Sequence, residues 1–99
     1  MGSHVGVEFK RLREGRGLSQ AHVARASSGL SRTTIVNVEA GADVRLETVL
    51  MLSQALGAPR HERLALIIAW VRDCLGEEIW SELIVKPSPL REHSGKATG

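Results

Sequence analysis

Aromatic residues are scarce in this sequence. Phe9, Trp70 and Trp80 make up 3% of the 99 residues, and there is no tyrosine. β-Sandwich cores draw on aromatic and β-branched side chains, so a chain rich in Leu, Ala, Val and Arg reads as helical instead. Cysteine is nearly missing. Cys74 stands alone, which excludes an intrachain disulfide scaffold and makes a reducing compartment the simpler reading. With one cysteine, and with His4, His22, His61 and His93 at no ligand-like spacing, no zinc set can be assembled and no metal or other cofactor is expected. The longest apolar run, Leu64 to Val71, stops at Arg72, far short of the ~18–20 residues of a membrane span. No signal peptide is recognisable, and the opening Met1-Gly2-Ser3-His4 resembles an expression scar. Nor is there a Ser-His-Asp order, a phosphate-cradling glycine loop, or a carboxylate pair in an apolar setting, so the chain is not expected to be an enzyme.

The charge is present but unevenly placed. The net charge is +2. Residues 1–58 hold seven basic and five acidic side chains, residues 59–85 three and five, and residues 86–99 three and one. A basic front, an acidic middle and a basic tail result. A chain of 99 residues is one domain, and at this size only ~60–65% of the unfolded surface is buried, so self-association would help it.

Helical spacing organises the chain from Val5 onward. Val5, Phe9 and Leu12 share one face of a first helix that ends near Gly15-Arg16-Gly17. Ser19 is placed to cap a second helix whose apolar side is Ala21, Val23 and Ala24, and Ser27-Ser28-Gly29 breaks it. Ser31 is placed to cap a third, closed by Gly41. A fourth starts near Arg45-Leu46 and ends at Gly57. Pro59 suits the first turn of a fifth running to about Cys74, and a short sixth follows from Glu77 to about Val85. Residues 86–99, with Pro87, Pro89, Ser, Gly and charge, are expected to form a disordered tail. In the third helix, Ile35 and Val38 point together towards a core, whereas Arg32, Thr33, Val36 and Asn37 share another face that carries no carboxylate. Two short helices joined by a glycine-containing turn, the second with such a face, form the helix-turn-helix pattern.

With these segments in order, the chain resembles the phage-repressor/Cro (XRE) family. The likeness is carried by Phe9-Lys10-Arg11-Leu12-Arg13, Gly17-Leu18-Ser19-Gln20, Val23-Ala24, Ser31-Arg32-Thr33-Thr34-Ile35, Glu39-Ala40-Gly41, Leu46 to Leu50, and Ala55-Leu56-Gly57. It spans residues 5–58 and implies an all-α, five-helix repressor-like domain, here with an added C-terminal helix and a flexible tail. The resemblance implies that Arg32, Thr33 and Asn37 read bases. It makes Gln20 a phosphate ligand that also braces the recognition helix, and Arg13 and Glu39 a structural pair. Ser31, Arg16 and Arg45 are further phosphate candidates, and about two of Lys10, Arg11, Arg16 and Arg45 are expected to touch the backbone, since most surface charges serve only solvation. The sequence departs from the family in three places. The turn between Ala24 and Gly29 is one residue longer, the loop after Gly41 is short and lacks proline, and Ala40 stands where many members carry asparagine. Val36 is expected to pack on the lengthened turn.

The remainder, residues 59–85, lies outside the family core. Leu64 to Val71 is apolar on nearly every side, whereas a surface helix on a monomer shows one stripe. Leu64, Ile67, Ile68, Val71 and Trp70 are therefore expected at a homodimer interface. Cys74 is expected to be buried, and Asp73 with Glu77 and Glu78 to form a solvated acidic face. The function that follows is a cytoplasmic, nucleoid-associated bacterial or phage regulator, a repressor that binds double-stranded DNA at an inverted repeat as a homodimer. The alternatives are an antitoxin whose C-terminal region binds a protein toxin, and a restriction–modification controller.

Overall fold

The computed structural model describes residues 3–85. Among them there are six helices and no strand: α1 (His4–Gly15), α2 (Gln20–Ala26), α3 (Arg32–Glu39), α4 (Leu46–Leu56), α5 (Arg60–Leu75) and α6 (Glu77–Val85). The tail expected over 86–99 lies outside the described residues. The chain is all-α, as its composition implies. Three serines set the first three helix starts. Ser3 Oγ accepts from the Gly6 N–H at 2.9 Å, Ser19 Oγ from His22 at 3.0 Å and Ser31 Oγ from Thr34 at 3.1 Å. Each satisfies a donor that the helix itself cannot.

The core is one cluster. Phe9 and Leu12 of α1, Val23 of α2, Ile35 and Val38 of α3, and Val49, Leu52 and Leu56 of α4 are buried together. Leu66 and Ala69 of α5 belong to the same cluster. α1 crosses the end of α3 so closely that a Cβ on Gly6 would lie 2.3 Å from the Val38 carbonyl oxygen. Only a residue without a side chain permits that approach.

α5 has two characters. Its inner side fills the core through Leu66, while Leu64 and Ile68 on the outer side are 44% and 52% exposed. Ile67 and Trp70 are partly buried against the core. Trp70 is committed to its own chain, because its indole Nε1 donates to the Val44 carbonyl at 2.9 Å and so ties α5 to the α3–α4 loop. Two expectations are corrected here. Cys74 is exposed, not buried; it falls five residues after Ala69, about 140° round the helix from that core position. Asp73, four residues after Ala69, lies on the inner side and is not part of a solvated face. Its Oδ1 accepts from the His4 N–H at 2.8 Å and its Oδ2 from the Val5 N–H at 2.9 Å. The carboxylate thus supplies acceptors to the positive end of the α1 dipole.

α6 is rooted at the same corner. Glu77 accepts from Arg72 Nε and Nη2, both at 2.7 Å, and lies 2.9 Å from His4 Nε2. The Arg72 guanidinium sits 5.7 Å from the centre of the Trp80 ring, a cation–π distance. The hydrogen bonds from Arg72, with a smaller contribution from His4, hold the Glu77 carboxyl at about 2, well below its ordinary 4.5.

Candidate nucleic-acid interface

The lengthened turn between α2 and α3 is stitched by one side chain. Ser27 Oγ accepts from the Leu30 N–H at 2.9 Å and lies 3.2 Å from the Ala24 carbonyl oxygen, to which it can donate. Gly29 rests against α4, where a Cβ would meet Met51 Cε at 2.5 Å. The extra residue is thereby absorbed locally, and Val23 and Ile35 still bury their side chains in the shared core. The Ser27-Ser28-Gly29 break marks the turn in the sequence, and Ser27, three positions before Leu30, is the residue able to stitch it.

α3 presents the face expected of it. Ile35 and Val38 are fully buried, while Arg32, Thr33, Val36 and Asn37 are exposed. Val36 does not pack on the turn as expected. It is 40% exposed, because it sits one residue round from Ile35 on the side of Arg32, and the turn it would have covered is already held by Ser27 and α4. The face therefore offers two hydrogen-bonding side chains, one guanidinium and one pair of methyls. Arg32 has no carboxylate within ion-pair distance among the described residues, so its guanidinium is free for a ligand.

Three helices are locked behind this face. Arg13 Nε donates to Glu39 Oε2 at 2.7 Å and Nη2 to Oε1 at 3.0 Å, a two-pronged contact, while Nη1 donates to the Leu18 carbonyl at 2.7 Å. Gln20 Nε2 adds a bond to Glu39 Oε1 at 3.1 Å. The side chains of Arg13 and Glu39 are only 10% and 6% exposed. The hydrogen bonds to Glu39 raise the Arg13 guanidinium above its ordinary value. α1, the start of α2 and the end of α3 are thus held in one arrangement by charge-assisted bonds.

The other candidates divide. Lys10, Ser19, Gln20 and Arg32 line one shallow groove, with Arg13 and Glu39 along it. Ser31 is exposed, and its hydroxyl caps α3 and lies 3.0 Å from Thr34 Oγ1. Arg45 is exposed at the start of α4, in a second groove with Asn37 and Thr48. Asp43 and Glu47 share that groove, Glu47 at 3.5 Å from Arg45, and they dilute its positive charge. Arg16 does not join either group. Its Nε donates to the Leu56 carbonyl at 3.1 Å, its Nη1 to the Leu12 carbonyl at 3.2 Å, and its Nη2 to the Glu62 carboxylate. It fastens α1 to the α4–α5 junction.

A family model described as a helix-turn-helix domain matches residues 4–66. The chain belongs to that helix-turn-helix family. No curated protein and no solved structure matches it. The match begins at the first residue of α1 and runs into α5, so it takes in the whole α2–α3 unit, and it is consistent with the resemblance to repressor/Cro-type DNA-binding proteins. Helix-turn-helix domains of this family are DNA-binding and typically non-enzymatic. None of the described helices is long and apolar enough to cross a membrane.

Proposed function

We propose that the protein is a sequence-specific transcriptional regulator, a repressor, which binds an inverted-repeat operator as a homodimer. The observation that carries this reading is the outer face of α3, where Arg32, Thr33, Val36 and Asn37 stand exposed with no carboxylate among them. Such a helix fits the major groove. There a guanidinium can bind guanine O6 and N7 together, and an asparagine amide can bind adenine N6 and N7. Thr33 serves either a base edge or a phosphate. Gln20, the exposed start of α3 at Ser31, and Lys10 face the sugar–phosphate backbone on one flank, and Arg45 on the other. Helix N-termini favour phosphate through their free N–H groups. Arg16 is left out of this set because each nitrogen of its guanidinium already donates a bond within the chain, one of them to a carboxylate.

The dimer is supported by the outer side of α5, where Leu64 and Ile68 are exposed in a chain short enough to need further burial. Val71 and Ile67 flank them at helical spacing. A two-fold dimer would present two copies of α3, with half-sites ~10 bp apart.

The test is a binding series on sites selected from random duplex by the purified protein. Arg32→Ala should cost ~1–3 kcal/mol on the selected site and relax one base pair. Gln20→Ala should weaken selected and random duplex by similar factors, since phosphate contacts carry no direct sequence information. Raising the salt should lower affinity with a log–log slope of about −0.9 per phosphate contacted. A flat salt response, or an Arg32→Ala loss that is equal on both duplexes, would overturn the assignment.

A further inference from the structure

α6 touches its own chain at its root and leaves its outer side bare. Ile79, Leu83 and Ile84 are 51%, 62% and 63% exposed. Beside this aliphatic stripe runs an acidic one. Glu78 and Glu82 are exposed, one turn apart, and neither has an ion-pair partner among the described residues. α6 carries no basic residue at all. The first turn of α5 is the converse. Arg60 and Arg63 are exposed and without an ion-pair partner among the described residues, while Glu62 between them is turned inward to Arg16. The exposed aliphatics Leu64 and Ile68 continue from this basic end along α5.

We infer that α6 lies across the first turns of α5 in a second copy of the chain, with Glu78 and Glu82 against the partner's Arg60 and the partner's Arg63. This rests on the homodimer proposed above and gives it a direction. If two α5 helices met in parallel, the acidic α6 of one copy would run beside the acidic α6 of the other, and like charges would repel. An antiparallel meeting removes that conflict. A two-fold axis through Ile68 sets Leu75 opposite the partner's His61, because each lies seven residues from the axis. The helix that starts at Glu77 then begins beside the basic first turn of its partner. Aliphatic and charged stripes coincide there: Ile79 and Leu83 approach the partner's Leu64, and the carboxylates approach the two guanidiniums. Charge complementarity therefore selects both the occupant of the α6 surface and its orientation.

The experiment is a charge swap in the full chain. One variant carries Glu78→Lys and Glu82→Lys, the other Arg60→Glu and Arg63→Glu. All four positions are exposed, so both variants should keep the wild-type circular dichroism spectrum. Sedimentation velocity at micromolar concentration should show a wild-type dimer that weakens with added salt. Each variant alone places like charges together at both ends of the interface, and its dissociation constant should rise about tenfold or more. Mixed, the two variants restore opposite charge at both ends, and native mass spectrometry should find the heterodimer dominating either homodimer. Variants that dimerise alone as tightly as the wild type, or that fail to pair when mixed, would overturn the α6 placement while leaving a homodimer in place. A wild-type chain that stays monomeric would remove the homodimer itself.

Discussion

Replacing Arg13 with alanine should be among the most damaging single changes outside the apolar core. The side chain makes two bonds to Glu39 and one to the Leu18 carbonyl, and the pair is 10% and 6% exposed. In Arg13→Ala the carboxylate of Glu39 stays under the surface with only the Gln20 amide to meet it. Removing one partner of a buried ion pair costs ~3–5 kcal/mol, because the other charge is stranded. The lower end applies here, since Arg13 approaches Glu14 at the surface, at 4.0 Å, and solvent can reach the guanidinium edge. A loss of about 3 kcal/mol is a large share of the stability of a small domain, and at roughly 4–8 °C per kcal/mol it lowers the melting midpoint by ~12–24 °C. Thermal melting followed by circular dichroism measures this directly. Arg13→Met with Glu39→Met removes both charges and should recover part of the loss, as apolar replacements of buried pairs often do. A midpoint in Arg13→Ala within a degree or two of wild type would refute the reasoning and make the pair a surface ornament.

Two further outcomes are expected. Gly6→Ala drives a Cβ to 2.3 Å from a backbone oxygen that cannot move aside, whereas Gly29→Ala meets only the flexible end of Met51; urea unfolding should show a loss of ~1–3 kcal/mol for the first and a distinctly smaller one for the second, and equal losses would contradict the close α1–α3 crossing. The lowered carboxyl of Glu77 stabilises the fold above its ordinary 4.5, and that contribution is lost as pH falls towards about 2; the melting gap between wild type and Glu77→Gln should stay level above 4.5 and close below it, and a gap independent of pH would show that the bonds to Arg72 and His4 do not persist in solution.

The helices themselves were legible because their signals are local. Ser19, Ser31 and Gly57 mark ends, and Ile35 with Val38 mark an inward face, without reference to the rest of the chain. The carboxylate-free face of α3 was legible for the same reason. What escaped depends on residues distant in sequence. Asp73 serves the first N–H groups of α1 from 68 and 69 residues away, and no spacing rule connects them. Arg16 looks like any surface arginine until its neighbours Leu56 and Glu62 are in place. Trp70 reads as part of the apolar face expected at a dimer interface, and its bond to the Val44 carbonyl, 26 residues away, leaves no mark in the sequence. Val36 is exposed although the longer turn suggests a partner for it, because Ser27 takes up the slack of that turn.

The bond pattern at the start of α1 bears on where this chain can be cut. A fragment ending at Gly57 would keep the exposed face of α3 proposed to meet DNA, yet it would strip Leu66 from the core, unpair Arg16 from Glu62 and leave the amides of His4 and Val5 without the Asp73 carboxylate. Its first helix would fray from the end that passes over Val38, and α3 would lose the floor on which it rests. The smallest piece able to hold the outer face of α3 in shape should therefore run from Ser3 through α5, so that excising the first four helices alone yields a different and softer object.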